Sequence, residues 1–279
     1  MVDYLQRAKF FRTKKRLAQN FLVNPDVIAD IIDFAKITKD DVVLEIGPGV
    51  GFVTEQLVKH AKKVIAVELD EEAIKELEKL ECDNLQIIHQ DILKTDISEL
   101  CDEEIKVVAN IPYYITSPII AHLLGEIDDL NNKNRGKIKD IILMVQEEVA
   151  RRIVATESSP SKQYGLLTIL AQFWADCSII RLVGRRSFYP APKVNSALVY
   201  LKVRKEPLLK LSDYAHFRKT IKAAFSQRRK TLKNCLLGAS FEREKVVKAI
   251  EELGLDENIR GEKLSIETLG RLSESLLEK

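Results

Sequence analysis

Cysteine is scarce in this chain: four in 279 residues, at 82, 101, 177 and 235. That is too few for a disulfide scaffold, and the spacing fits no zinc pattern. They read as free thiols filling core space in a reducing compartment, the cytoplasm. Only 11 glycines and 8 prolines are present, which excludes collagen-like and low-complexity classes. Long apolar runs are missing too: IILMV at 141–145 is among the longest. A membrane-crossing helix needs about 20 such residues. The basic N-terminus lacks the apolar stretch of a secretory signal, so none is expected. What is present is a 46% hydrophobic fraction, too high for a mainly disordered chain. At about 150 residues per domain the length predicts about two domains, with a core that needs no covalent staples.

The net charge of +2 conceals a strong polarity. Residues 5–25 carry six Lys or Arg and no acid, and residues 214–241 carry seven and no acid. Residues 67–104 carry fourteen Asp or Glu against three Lys. Basic segments of this kind attract polyphosphates, nucleic acid above all, although a solvated helix face gives the same pattern.

Short apolar runs alternate with helix-like segments. VVLEI (42–46), VIAVE (64–68), LQIIH (85–89), IKVVAN (105–110) and IKDIILMV (138–145) read as buried strands. Segments 52–61 and 71–81 have helical spacing, as in Ala73, Leu77 and Leu80. Strands alternating with helices predict an α/β fold with a mostly parallel sheet covered on both faces. CSIIRLV (177–183) and SALVYLKV (196–203) read as a closing antiparallel pair, making seven strands. Segments 213–237, 242–253 and 262–278 are helical only, so a small all-helical C-terminal domain is expected over 209–279, after a domain over 1–208 with a basic tail at 1–20. DDLNNKNRGK (128–137) and ESSPSKQYG (157–165) read as surface loops.

EIGPGVG (45–51) lies between a strand and a helix. Gly47, Gly49 and Gly51 allow a sharp turn and close approach of a ligand. Glu68 ends the next strand, placed to accept hydrogen bonds from ribose hydroxyls. At this point NAD and S-adenosylmethionine (SAM) both fit. Asp91 follows the third strand, where an acid receives an adenine amine or caps a helix. After the fourth strand comes NIPYY (110–114). Methylating an aromatic amine is hard because the nitrogen lone pair is delocalised. Acceptors around the amine favour a tetrahedral nitrogen. Asn110 offers a side-chain carbonyl. Pro112 holds Ile111 extended, which turns its carbonyl toward a ligand, and Tyr113 offers a face for stacking. A tight turn with two core tyrosines is the plain structural alternative.

In this order the motifs resemble the KsgA family of ribosomal RNA adenine dimethyltransferases, from about residue 13 to about 275. KKRLAQNFL (14–22), EIGPGVGFVT (45–54), VELD (67–70), QDIL (90–93), NIPYYITSPII (110–120), MVQEEVARRI (144–153), YGLLTILAQF (164–173), FYPAPKVNSALV (188–199) and FSQRRKTLKN (225–234) carry the likeness. It departs from the family's usual pattern at Ala18, Ile111 and Asn195. The resemblance implies a Rossmann-like SAM-dependent methyltransferase that dimethylates N6 of two adjacent adenosines. These lie in the 3′-terminal hairpin loop of small-subunit rRNA, within an immature small ribosomal subunit. It implies SAM contacts from Asn20, Leu22, Gly47, Gly49, Glu68, Leu69, Asp91, Ile92 and Asn110. Phe188 would then face Tyr113 across the flipped base, where the residues alone also allow a core anchor beside two prolines. Arg12, Lys14, Lys15 and Arg16, and Arg228, Arg229, Lys230 and Lys233 on or near one helix, would contact RNA phosphates. The tail would not be a cleavable presequence, because Asn20 and Leu22 follow it directly. A monomer is expected, and the chemistry requires no metal. Other readings remain at this stage: a non-catalytic assembly factor, a DNA-binding transcription factor of the same descent, a DNA adenine methyltransferase, or a large-subunit rRNA methyltransferase of the macrolide-resistance type, which shares Ile at 111.

Overall fold

The computed structural model describes residues 3–11 and 19–277. Arg12, Lys14, Lys15 and Arg16 lie outside the described residues. In chain order the elements are α1 (Tyr4–Phe10), β1 (Phe21–Leu22), α2 (Pro25–Ala35), β2 (Val42–Ile46), α3 (Thr54–His60), β3 (Lys63–Glu68), α4 (Glu71–Glu78), β4 (Leu85–His89), β5 (Ile105–Asn110), α5 (Thr116–Leu124), α6 (Lys133–Lys137), β6 (Ile138–Gln146), α7 (Glu147–Ile153), α8 (Leu166–Trp174), β7 (Ala175–Val183), β8 (Phe188–Tyr189), β9 (Ser196–Val203), α9 (Tyr214–Ala224), α10 (Leu232–Gly238), α11 (Arg243–Glu252) and α12 (Ile266–Leu277). They form two compact units. One gathers the described residues of Met1–Gly125 with Asn132–Ala150 and Asp176–Val203; the other gathers Glu126–Asn131, Arg151–Ala175 and the described residues of Arg204–Lys279. No helix among the described residues is long and apolar enough to cross a membrane.

The first unit is built on a seven-stranded sheet in the order β4-β3-β2-β5-β6-β9-β7. β4, β3, β2, β5 and β6 pair in parallel, and β9 is antiparallel to β6. Every residue of β2 is buried, as is usual for a strand covered on both faces. The chain moves outward from β2 through β3 to β4, then returns to place β5 on the other side of β2. That reversal opens a crevice at the carboxyl ends of β2 and β5, the general ligand position in such sheets. Register brings those ends level, with Ile46 opposite both Val67 and Ala109, and Glu68 opposite His89. The helices start where the sequence supplies caps: Asn24 accepts from Asp26 N–H at 3.0 Å for α2, and Asp70 from Glu72 N–H at 3.1 Å for α4. Ala73 and Leu77 of α4 are fully buried.

In the second unit the C-terminal helices do not stand alone. Phe173 and Trp174 of α8 are buried, and the Phe173 ring lies 5.7 Å from that of Phe217 on α9. The unit takes in 126–131 and 151–175 as well as the described chain from Arg204.

Three local expectations are corrected. Segment 213–237 is two helices, because Thr231 accepts from Asn234 N–H at 3.3 Å and starts α10 afresh. Arg228, Arg229 and Lys230 consequently sit on the loop between α9 and α10, and only Lys233 is helical. Segment 128–137 is not all loop. Asn132 caps α6, and buried Arg135 donates to Leu124 O at 2.6 Å, satisfying a carbonyl at the end of α5. No disulfide forms among the described residues, but only Cys235 is buried; Cys82, Cys101 and Cys177 are half-buried rather than core fillers.

Candidate active site

The segment after β2 turns through three positive φ values: 66° at Gly47, 58° at Gly49 and 84° at Gly51. At Gly49 the requirement is also steric, since a Cβ would lie 2.8 Å from the Phe21 ring. Glu68 closes the turn against the neighbouring strand end. Its Oε2 accepts from Gly49 N–H at 3.0 Å, and its Oε1 accepts from Leu69 N–H at 2.7 Å and Asp70 N–H at 2.9 Å. Burial raises the Glu68 carboxyl above its ordinary value, and these three N–H bonds only partly offset it.

Around this turn lies a cleft of about 1070 Å³, counting its open mouth. Each cofactor residue expected from the sequence lines it: Asn20, Leu22, Gly47, Gly49, Glu68, Leu69, Asp91, Ile92 and Asn110. So do Ile111, Pro112 and Tyr113. Asp91 Oδ1 caps the short turn 92–94 by accepting from Leu93 N–H at 3.0 Å, and the residue also lines the cleft. Asn110 Nδ2 donates to Asn20 O at 3.2 Å, leaving Oδ1 as an acceptor. The Tyr113 hydroxyl lies 2.7 Å from Ser196 Oγ, which pins the ring. Burial pushes the Tyr113 phenol up, against the opposing pull of that bond.

Phe188 is not brought to the cleft. It is 3% exposed, lies opposite Leu22 in the β1–β8 pair, and packs in the core with Leu22, Val183 and Leu198. In this arrangement the residue is buried beside β1, as a core anchor would be. Ser196, eight residues on in the same motif, touches Tyr113 instead.

Sequence reasoning also passed over Glu45. This residue lines the cleft, is 3% exposed, and accepts from Thr54 Oγ1 at 2.6 Å. Burial pushes its carboxyl up to about 8, the Thr54 hydrogen bond pulls it down, and nearby Glu68 adds to the rise. The signal was an acid inside the apolar run VVLEI. Tyr114, 65% exposed on the cleft wall, was likewise assigned no role.

A doubly wound sheet with a glycine turn, two strand-end acids and an Asn-Ile-Pro-Tyr segment at its switch point defines the SAM-dependent methyltransferase class. The structure matches that of a dimethyladenosine transferase from Plasmodium falciparum with a TM-score of 0.74 at 29% identity, covering 89% of this chain and 94% of that one. It matches the 23S rRNA methyltransferase ErmE with a TM-score of 0.70 at 29% identity, covering 93% and 100%. The chain belongs to the ribosomal RNA adenine dimethylase family, whose profile matches residues 10–278. Among its relatives are proteins named ribosomal RNA small subunit methyltransferase A. That of Clostridium acetobutylicum is 43% identical over 95% of this chain and 94% of its own length; that of Bacillus licheniformis is 42% identical over 96% and 92%.

Enzymes of this family use SAM, and the cleft suits it. The backbone of Gly47 and Gly49 lines the cleft without side chains, and no Lys, Arg or His lies among the described lining residues, which suits a ligand carrying a sulfonium.

Proposed function

We propose that this chain dimethylates N6 of two adjacent adenosines in the 3′-terminal hairpin loop of small-subunit rRNA, acting as a monomer on an immature small subunit in the cytoplasm. The observation that carries the reading is the amide of Asn110. It is tied through Nδ2 to Asn20 O, and its oxygen is left to accept at the wall of the cleft.

SAM supplies an electrophilic methyl group when bound. Glu68 is the residue for its ribose hydroxyls and Asp91 for its adenine amine, with Leu69 and Ile92 giving apolar surface beside them and Gly47 and Gly49 close backbone approach. Asn20 and Leu22 complete that wall. Asn110 Oδ1 and the Ile111 carbonyl accept from the target amine and favour a tetrahedral, charge-bearing nitrogen. Pro112 holds Ile111 extended for this. Tyr113, pinned by Ser196, stacks on the target base. The amine proton leaves to water once the nitrogen is cationic, so no strong general base is needed. An unpaired loop base is cheaper to extrude than one in a duplex. Exposed Arg228, Arg229 and Lys230, half-buried Lys233 and the tail residues Arg12, Lys14, Lys15 and Arg16 supply phosphate contacts. The names of the relatives favour the small subunit over the large.

The test supplies methyl-labelled SAM with small subunits lacking these modifications, and in parallel with large subunits. N6,N6-dimethyladenosine near the 3′ end of the small-subunit rRNA is expected. Asn110→Ala should lower the rate by at least about 100-fold, the usual cost of deleting one transition-state hydrogen-bonding group. Binding without methyl transfer would overturn the catalytic reading, and methylation of the large subunit alone would overturn the choice of substrate.

A further inference from the structure

We infer that Tyr114 is a stacking platform for the nucleotide adjacent to the adenosine being methylated, so that the RNA strand meets two consecutive tyrosines at the cleft. The inference rests on the functional reading above and adds a second base-binding position to it.

Tyr113 and Tyr114 are chain neighbours that line the same cleft in opposite circumstances. Tyr113 is held at its hydroxyl by Ser196 and is largely covered. Tyr114 is 65% exposed, and its hydroxyl has no partner among the described residues. The backbone beneath it is fixed. Ile115 N–H donates to Pro112 O at 3.2 Å, and Thr116 Oγ1 donates to Tyr113 O at 3.2 Å. With the backbone held, only the two side-chain torsions of the ring remain to be ordered on binding. No basic side chain lies among the described lining residues, so this wall offers a phosphate no countercharge, while the exposed ring offers a base a stacking face. Drawing one base out of a strand leaves its neighbour without a stacking partner on that side. An exposed aromatic face one residue along offers a replacement, and it accepts any base. With two adjacent target adenosines, the one not in the cleft would rest on Tyr114.

The probe is a short RNA hairpin with two adjacent loop adenosines, the second replaced by fluorescent 2-aminopurine. Binding to the unaltered protein should quench the fluorophore. Tyr114→Ala should abolish the quenching and raise KM for unmodified small subunits about tenfold, within the usual worth of one base–aromatic stack. Tyr114→Phe should restore both. SAM affinity by calorimetry should be equal in all three proteins, which also verifies folding. Quenching that survives in Tyr114→Ala, or equal loss in Tyr114→Ala and Tyr114→Phe, would overturn the platform, the latter by assigning the effect to the hydroxyl. If the unaltered protein quenches the probe but methylates no small subunit, the functional reading fails while the base contact stands.

Discussion

The cleft of the first unit and the loop 225–231 of the second handle charge in opposite ways. Glu45, Glu68 and Asp91 line the cleft with no basic residue among the described lining, and Glu45 and Glu68 are buried and hydrogen-bonded. Arg228, Arg229 and Lys230 are exposed, near no acid in sequence, and without an ion-pair partner among the described residues. Buried, fixed carboxyl groups recognise the shape and hydrogen-bonding groups of one small molecule. Exposed, mobile cations recognise a polyanion whatever its sequence. The two regions are thus suited to a cofactor and to RNA respectively, and substitutions should separate them.

The largest effect is expected at Glu68. Glu68→Ala removes the acceptor of three N–H groups, at about 1–3 kcal/mol for each one left buried and unsatisfied. SAM affinity by calorimetry should fall by more than about 100-fold, and the melting temperature should drop. Retained SAM affinity would remove Glu68 from the cofactor set. Next comes the triple change of Arg228, Arg229 and Lys230 to Ala. It should leave SAM affinity untouched, weaken RNA binding at low salt, and reduce the slope of log affinity against log salt by about 2. An unchanged slope would show that the loop does not meet phosphates.

The smallest effect concerns Glu45. Its carboxyl is raised from 4.5 to about 8 in the folded chain, chiefly by burial. The folded state therefore holds a proton that the unfolded state has lost. The stability this gives is complete below about pH 4.5 and disappears as pH rises through about 8. Glu45→Gln, which keeps an acceptor for Thr54, should melt a few degrees above the unaltered chain at about pH 9, with the gap closing toward about pH 5. A constant gap would mean that Glu45 is already ionised when folded.

The cleft was more legible in the sequence than the rest of the molecule. Gly47 follows β2, Glu68 and Asn110 end β3 and β5, and Asp91 comes two residues after β4, an edge strand that is not buried as its apolar run suggested; parallel strands in register bring such positions to one edge. The all-helical region was legible in kind but not in its breaks. Residues 226–231 hold no apolar side chain and no Gly or Pro, so spacing there marks neither continuation nor a break, and only the cap at Thr231 marks a new start. The burial of Phe188 was not legible, because its motif specifies an aromatic while pairing with Leu22 sets its surroundings.

The sequence by itself determined the strand–helix alternation, the glycine turn and the residue types at the strand ends, because these depend on local periodicity and backbone conformation. Tertiary structure alone decided that Ser196 grips Tyr113, that Glu45 is buried beside Glu68, that Arg135 closes the end of α5, and that Tyr114 is left open. Such facts join residues far apart in the chain, or rest on how much water each side chain keeps. Neither follows from spacing, because packing sets both.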